Sequence, residues 1–222
     1  MNKKTIEKRI LKQYLLFLGS VPKALQKSFL LTGGSAAFLY GSDRPFSDDI
    51  DFVVSYEKWK EIGKAVGVSF VYRTKKPIFH SLAASVLIGK TSFDLMAETV
   101  IQPVANGKSY AFRSTPWIRR KKVIFHIGNH TIACIPKEVL VTKKLLAGRG
   151  VEVGKYDLYD VRAILEKNDN FNFGLLKKTI RTFCKPIKSS LPILIGHAKK
   201  IRLDYPKCEA IQALLDSLNS LR

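Results

Sequence analysis

The hydrophobic pattern of this chain changes its period near Pro136, and that change limits the chain to a small set of folds. Before it, an amphipathic helix and a few short helices accompany a stretch, residues 68–134, in which apolar residues follow a mainly β pattern. After it, helical spacing continues to residue 220. The sequence therefore predicts an α+β fold, with a mixed β-sheet flanked by helices over residues 1–135 and a C-terminal helical bundle over residues 136–222.

The predicted elements follow from these periods and from the Gly and Pro turn signals between them. The predicted helices cover residues 3–18, 36–40, 57–66, 136–148, 156–168, 173–184, 192–203 and 207–220. The predicted strands cover residues 29–32, 50–54, 69–72, 82–88, 92–96, 110–113, 123–126 and 131–134. The four consecutive basic residues 119–122 are predicted as an exposed loop, which either grips a phosphate backbone or is simply solvated.

Basic residues exceed acidic ones by 38 − 18 = 20, so the formal net charge is +20. Residues 113–222 contribute most of the excess, with 22 basic and 9 acidic residues. Such an excess favours a polyanionic partner, namely nucleic acid, a nucleotide or an acidic membrane face, with solubility alone as the alternative. No apolar run approaches the roughly 20 residues of a spanning helix. Because three widely spaced cysteines suit neither a disulfide framework nor a structural zinc site, we expect a cytoplasmic protein.

A phosphate-binding element is indicated where the strand at residues 29–32 runs into Gly33-Gly34-Ser35 and then a helix. Small residues at this junction leave backbone N–H groups accessible, and the positive end of a helix attracts anions. The sequence therefore predicts that these three residues contact the phosphates of a nucleotide.

Three aspartates are candidate metal ligands. Asp49 and Asp51 are two residues apart on a predicted strand, so their side chains point to the same side and can share a divalent cation. Asp94 lies in an otherwise apolar strand, where a carboxylate is costly unless it is paired or bound to metal. Carboxylates on two neighbouring strands can hold two metal ions about 3.5–4 Å apart, an arrangement used for phosphoryl transfer. The acids therefore indicate metal-dependent nucleotide chemistry.

These motifs resemble a known superfamily. The pair Gly34-Ser35 is followed, thirteen residues later, by residues 49–52, which read Asp-Ile-Asp-Phe. This pattern resembles the signature of the DNA polymerase β-like nucleotidyltransferases. In the helical part, residues 144–149 read Lys-Leu-Leu-Ala-Gly-Arg and residues 157–161 read Asp-Leu-Tyr-Asp-Val. Together with Arg44 and Ser47, these segments are similar to the AbiEii-like toxin branch of that superfamily.

The resemblance implies a role for each matching residue. It implies two Mg²⁺ ions held by three acids: Asp49, Asp51 and Asp94. It also implies that Asp94 can accept the proton of the acceptor hydroxyl. It implies nucleotide binding by five residues: Gly33, Gly34, Ser35, Arg44 and Ser47. Arg44 has the alternative of pairing with Asp43 or Asp48.

In the helical part, the resemblance places Lys144 and Asp157 in the site. Lys144 would neutralise charge on the departing pyrophosphate. Adjacent helical residues point about 100° apart, so we expect only one of Lys143 and Lys144 to reach the site, and the family spacing favours Lys144. Asp160 shares a helix face with Asp157 and is expected to assist it or to act as a structural cap.

The implied activity is transfer of NMP from an NTP to an acceptor hydroxyl, with release of pyrophosphate. The basic excess favours RNA as the acceptor, and the toxin branch favours a tRNA 3′ end and an antitoxin protein as a further partner. Three alternatives stay open: a protein AMP-transferase, a small-molecule transferase of the aminoglycoside type, and a catalytically silent RNA-binding module. A basic protein of the membrane surface is a more distant alternative, since no long cationic amphipathic helix stands out.

Overall fold

A computed structural model describes residues 2–45, 49–75, 79–103 and 107–222, so Ser47 and Asp48 lie outside the described residues. The predicted α+β architecture is confirmed: one eight-stranded mixed sheet is flanked by helices. The strand order is β3-β4-β5-β2-β1-β8-β7, and β6 pairs with β5. The strands are β1 (Phe29–Leu31), β2 (Ile50–Val54), β3 (Val71–Lys75), β4 (Phe79–Ile88), β5 (Thr91–Ile101), β6 (Tyr110–Arg113), β7 (Val123–Ile127) and β8 (His130–Cys134).

The helices surround this sheet and dominate the second half of the chain. They are α1 (Lys3–Gly19), α2 (Lys23–Gln26), α3 (Gly33–Leu39), α4 (Trp59–Val66), α5 (Pro116–Arg120), α6 (Lys137–Ala147), α7 (Asp157–Glu166), α8 (Phe173–Phe183), α9 (Ile187–Asp204) and α10 (Glu209–Asn219). The last five pack against one another as the predicted bundle. The buried apolar core is continuous from Ile6 to Leu218, and the predicted division near residue 136 stays a prediction.

Helix α1 shows how the sheet is anchored. The Asn2 side chain caps the helix by accepting a hydrogen bond from the Thr5 amide at 2.9 Å, which satisfies one of the free N–H groups of the first turn. The apolar face of the helix then reaches β2, where Phe17 stacks on Phe52 with 4.7 Å between ring centroids. Because side chains alternate along a strand, holding Phe52 in the core turns its neighbour Asp51 to the other face of the sheet.

Several predicted boundaries are wrong, among them the end of the strand predicted over residues 92–96, since β5 continues to Ile101. The basic segment 119–122 is not wholly a loop, because Thr115 caps a short helix, α5, whose first residue is Pro116. Helix α9 begins at Ile187 and continues through Pro192, where the sequence predicted a helix start. A proline inside a helix costs about 3 kcal/mol, and burial of the neighbouring Leu191 and Ile193 offsets this cost.

The three cysteines, Cys134, Cys184 and Cys208, are buried and free of disulfides, as expected. Burial raises the pKa of the Cys134 and Cys184 thiols, so both stay protonated and pack as small apolar side chains. Among the described residues, no helix combines the length and apolarity that crossing a membrane requires.

Candidate active site

Two carboxylates lie side by side in the middle of the sheet. Strands β2 and β5 are parallel neighbours, and their register pairs Asp51 directly with Asp94. The residues next to these acids, among them Ile50 and Phe93, are completely buried, whereas both aspartates are partly exposed. Both side chains project from the same face of the sheet. Because adjacent strands are about 4.8 Å apart, both can reach one shared ligand. The expectation that Asp94 lies on a strand neighbouring Asp51 is confirmed.

Asp49 does not complete a set of three. It precedes the first residue of β2 and is exposed, next to residues that the structure does not describe. Across residues 2–45, 49–75, 79–103 and 107–222, no three His, Cys, Asp or Glu side chains gather as a group that could hold a metal ion. The Asp51–Asp94 pair nevertheless suits Mg²⁺, which commonly takes one or two protein carboxylates and completes its shell with water and substrate phosphates.

Gly33 lies directly against the Asp51 carboxylate. Its φ is +65°, and a Cβ built at this position would lie 1.9 Å from Asp51 Oδ2. The backbone is fixed there as well, since the Thr32 amide donates to the Asp51 carbonyl oxygen at 2.9 Å. Glycine is required at residue 33 for both reasons, because other residues avoid this φ and their side chains would displace the carboxylate. Gly33, the first residue of α3, and Asp51 of β2 are therefore held in direct contact.

We expect Gly33→Ala to destabilise the protein more than a matched glycine substitution. Gly67→Ala is the control, because Gly67 has a φ of +69° and a Cβ added there would meet no atom within 4 Å. Both variants carry the backbone cost of a left-handed residue, roughly 1–2 kcal/mol. Only Gly33→Ala also displaces Asp51. Urea unfolding should give at least about 1 kcal/mol of extra loss for Gly33→Ala, and equal losses would contradict the contact.

The other small residues of this motif also have specific surroundings. A Cβ on Gly34 would lie 2.9 Å from Arg44 Nη2, so the second glycine makes room for a guanidinium. The Ser35 hydroxyl is buried and has no hydrogen-bond partner among the described residues. Buried hydroxyls normally have partners. The first residues of α3 thus lie against the Asp51 carboxylate and the Arg44 guanidinium, and they include an unsatisfied hydroxyl.

The predicted Lys144 and Asp157 belong to a buried charge cluster. Lys144 Nζ lies 3.2 Å from Asp157 Oδ1 and 2.7 Å from Asp160 Oδ2. Arg149 Nε lies 2.6 Å from Asp157 Oδ2, and Arg44 Nη1 lies 3.3 Å from Asp160 Oδ2. The cluster of Arg44, Lys144, Arg149, Asp157 and Asp160 therefore joins α6, α7 and the loop before β2.

Neighbouring charges keep Lys144 and Asp157 ionised despite their burial. Burial by itself would lower the pKa of Lys144, but Asp157 and Asp160 raise that pKa above its ordinary value. Burial would likewise raise the pKa of Asp157, but Lys144 and Arg149 hold it below its ordinary value. The pairing therefore stabilises the charged forms of Lys144 and Asp157.

Asp160 is the centre of the connection to the loop before β2. It is completely buried, and the Ser42 hydroxyl donates to its Oδ1 at 2.5 Å. Of the two predicted roles for Asp160, these contacts favour the structural one. Arg44 pairs with this residue and not with Asp43, whose carboxylate instead accepts a hydrogen bond from the Tyr159 hydroxyl.

Lys143 is a candidate site residue that the sequence pattern did not favour. Its ammonium donates to Thr99 Oγ1 of β5 at 3.3 Å, and no ion pair forms between it and another described residue. Burial lowers the pKa of Lys143 to about 8, although the nearby Asp51 carboxylate opposes the change. Lys143 is thus directed towards β5 and the acids, while Lys144 is occupied by Asp157 and Asp160. The 100° step between adjacent helical residues shows that the two lysines point in different directions. Only the position of α7 shows which of them faces the acids.

Comparisons with known proteins give structural likenesses only. No protein-family model matches the chain, and no curated protein sequence matches it. The chain is similar to the solved structure of a candidate nucleotidyltransferase from Thermotoga maritima, at 17% identity over 57% of this chain and 77% of that one, with a TM-score of 0.42. It is similar to the lincosamide antibiotic adenylyltransferase LnuA, bound to lincomycin, at 19% identity over 63% and 87%, with a TM-score of 0.34. A third likeness is to an antigenic nucleotidyltransferase-like protein from Paracoccidioides brasiliensis, at 12% identity over 83% and 84%, with a TM-score of 0.38.

Proposed function

We propose that this protein is a Mg²⁺-dependent nucleotidyltransferase that moves NMP from an NTP to a hydroxyl of an RNA acceptor and releases pyrophosphate. One observation carries the proposal: Asp51 and Asp94 are paired in register on parallel strands, directly against the glycine that begins α3. A carboxylate pair beside a close backbone approach suits a metal-bound triphosphate. Asp49 is proposed as a further ligand, reached from the exposed start of β2.

The carboxylates would hold Mg²⁺, proposed as two ions. When bound, Mg²⁺ neutralises charge on the phosphate oxygens and so favours in-line displacement at the α-phosphorus. Two partly exposed carboxylates on rigid strands are suited to this task, because strands fix side-chain positions more closely than loops do.

The acceptor's proton goes to Asp94 in this proposal. The acceptor oxygen forms a bond to the α-phosphorus, the bond from that phosphorus to the bridging oxygen breaks, and pyrophosphate leaves with the bonding electrons. Asp94 is held for the task, because the Ser85 hydroxyl donates to its Oδ1 at 2.5 Å. Arg73 in turn donates to Ser85 Oγ at 2.7 Å, which leaves the serine's own proton directed at Asp94. These contacts fix the orientation of the carboxylate that is to act as general base.

The nucleotide is proposed to lie along the start of α3. The backbone of Gly33 and Gly34 would approach the triphosphate, and the unsatisfied Ser35 hydroxyl would donate to it. Arg44, stacked 5.0 Å from the centre of the Tyr156 ring, would add positive charge from the adjacent loop, with Ser47 as a further contact.

The positive charge for the departing pyrophosphate is proposed to come from Lys143, with Lys144 holding the surrounding cluster together. We expect Lys143→Met to slow NMP transfer by about 10–100-fold, the usual loss on removing a charged transition-state contact of roughly 1.5–3 kcal/mol. Single-turnover transfer from an α-labelled NTP measures this effect. Lys199→Met, which removes an exposed lysine from α9, is the control and should leave the rate unchanged. A rate unchanged in both variants would exclude Lys143 from the reaction.

The proposed class of acceptor rests on the net charge of the chain. A net charge of +20 favours a long anionic acceptor over a small neutral one. RNA, with a tRNA 3′ end as the specific candidate, satisfies this requirement and carries terminal hydroxyls. A toxin role, with an antitoxin as protein partner, belongs to the same proposal through the resemblance of residues 144–161 to the AbiEii-like branch.

The proposal is tested by incubating the purified protein with each α-labelled NTP, Mg²⁺ and total RNA, followed by separation of RNA from protein. Label in RNA is expected, and it should disappear when EDTA is added. Label in protein would instead identify a protein AMP-transferase. Absence of label with every nucleotide, combined with retained RNA binding, would identify a silent RNA-binding module.

A further inference from the structure

Two long segments of this chain contain no acidic residue at all. One runs from residue 99 to residue 137 and contains seven lysine or arginine residues, and the other runs from residue 170 to residue 203 and contains eight. The structure brings them together at Phe183, the last residue of α8. Its ring lies 5.3 Å from that of Phe112 in β6 and 6.3 Å from that of Trp117 in α5, measured between centroids. Helices α5 and α8 therefore present neighbouring surfaces to which their own segments contribute no carboxylate.

The contact between α5 and α8 also brings their cations together. Lys178 Nζ of α8 lies 5.5 Å from the centre of the Trp117 ring, so the lysine covers the indole. Exposed basic residues extend on both sides of this contact. We call them the α5–α8 surface: Arg120, Lys121, Lys122, Lys178, Arg181 and Lys185.

The charge of the α5–α8 surface is not neutralised within the described part of the chain, where none of its six cations forms an ion pair. The acid that reaches α5 from another element is Glu57, and it lies 3.0 Å from Arg119. Arg119 is therefore outside the defined surface, and so is Lys177, whose ammonium turns towards the Ser220 hydroxyl. Six like charges on two adjacent helices and the residues that directly follow them repel one another, and a bound anion relieves that repulsion.

The surface lacks the apolar groups that a membrane-binding helix inserts. Such helices expose Trp, Phe or Leu beside their cations. Here Phe183 is buried, and Trp117 is covered by Lys178. Of the large exposed apolar side chains of the described residues, Ile124 lies two residues after Lys122, and the others are in other elements: Leu15, Leu16, Val71, Tyr72, Leu87, Val151, Val153 and Leu203. Cations without apolar anchors suit the phosphate backbone of a nucleic acid.

We propose that the α5–α8 surface binds the phosphate backbone of an RNA strand, an inference that rests on the proposed function in taking this RNA to be the acceptor. The position of the surface is consistent with that role. Ser114, at the entry to α5, pairs with Ser55, which directly follows β2. Ser55 follows Asp51 by four residue steps along the strand direction, a distance of about 13 Å. Val53, Ser114 and Lys143 line one small cavity along this path.

The test compares two variants of the whole chain that lose the same charge. In the first, Lys178→Gln, Arg181→Gln and Lys185→Gln remove three cations from the α8 side of the surface. In the control, Lys4→Gln, Lys8→Gln and Lys12→Gln remove three exposed cations from α1. Binding of a fluorescein-labelled single-stranded RNA is measured by anisotropy, without nucleotide, over a range of KCl concentrations.

We expect the α8 variant to bind RNA at least tenfold more weakly at 100 mM KCl, and the α1 variant less than threefold. The slope of log K against log[KCl] should fall by about 2 in the α8 variant, since each lost phosphate contact contributes roughly 0.7 for a single strand. Equal losses in both variants would show that net charge alone attracts RNA, and would overturn the assignment of a surface. Circular dichroism and urea unfolding verify that both variants fold.

Two further arms separate this inference from the proposed function. Binding to phosphatidylserine vesicles, lost in the α8 variant while RNA binding is unchanged, would identify a membrane surface and overturn the inference. Asp51→Asn should bind RNA as the unmodified protein does, because the surface is independent of the acids. If NMP transfer to RNA is observed but the α8 variant binds normally, the inference fails alone. If no transfer is observed but the α8 variant loses RNA binding, the proposed function fails and the surface stands.

Discussion

Asp51→Asn should abolish NMP transfer while leaving the fold intact. The substitution keeps the shape of the side chain but removes the charge that would hold Mg²⁺ between β2 and β5. Loss of metal-dependent charge stabilisation is worth several kcal/mol, so the rate should fall by at least about 10³-fold. The free energy of unfolding should change by less than about 1 kcal/mol, because Asp51 is partly exposed and asparagine keeps its shape.

The measurement is transfer of label from an α-labelled NTP at saturating Mg²⁺, together with urea unfolding. Asp204→Asn is a matched control, since Asp204 is an exposed aspartate at the end of α9. It should retain full activity. Asp49→Asn tests the third proposed ligand in the same assay and should also lose transfer. Retained activity in both Asp49→Asn and Asp51→Asn would remove the basis for the proposed reaction.

Lys144→Met should destabilise the protein by about 3–5 kcal/mol, because removal of one partner from a buried ion pair leaves the other charge uncompensated. Here two carboxylates lose a partner at once, since Lys144 lies within 3.2 Å of Asp157 and 2.7 Å of Asp160. Methionine is close to lysine in length and adds no polar group, so the loss reports the charge rather than a cavity. Urea unfolding at pH 7 measures it.

Lys143→Met is the control for that stability measurement. Lys143 is as buried as its neighbour, but its ammonium donates to the neutral Thr99 hydroxyl and burial lowers its pKa to about 8. Its removal should therefore change the free energy of unfolding by less than about 1 kcal/mol, or increase it. Equal losses in both variants would mean that the two lysines are not distinguished by their partners.

The effect of Lys144→Met should depend on pH in a defined direction. Lys144 and Arg149 hold the pKa of Asp157 below its ordinary value, so this carboxylate contributes stability above its unfolded pKa of about 3.9. That contribution is lost as the pH falls through the lower folded value. Because the variant has already lost part of it, the difference in unfolding free energy between the two proteins should shrink below about pH 4. A difference that stays constant to about pH 3 would exclude this linkage.

The main features of the sheet could be predicted from local patterns. Alternation around Asp51 and Asp94 identified two strands, and the structure pairs these two acids directly. The sequence also placed Asp49 on the first strand, whereas β2 begins only at Ile50. The Gly33-Gly34-Ser35 turn was identified by its small residues. The physical reason for the motif was not available from the sequence, since the need for glycine at residue 33 comes from the Asp51 carboxylate on the neighbouring strand β2. Local sequence thus located the motif, while the contact that requires it is a tertiary one.

The assignment of the two adjacent lysines shows why the charge pairing of the site could not be predicted from the sequence. Family spacing favoured Lys144, but spacing along one helix cannot tell which side faces the sheet and which faces α7. The same holds for Arg44, whose partner Asp160 is more than a hundred residues away in sequence. Long-range charge pairing depends on packing, and the sequence offered nearby acids as equally reasonable partners.

The buried carboxylate of Asp160 makes the two halves of the chain depend on each other. Ser42 and Arg44 reach it from the loop before β2, while Lys144 reaches it from α6. Separation of these elements would leave the buried Asp160 carboxylate without its partners, which is strongly unfavourable. The helical bundle therefore holds the loop that leads into β2 and its acid, Asp51. The geometry of the loop before β2 depends on the presence of α6 and α7.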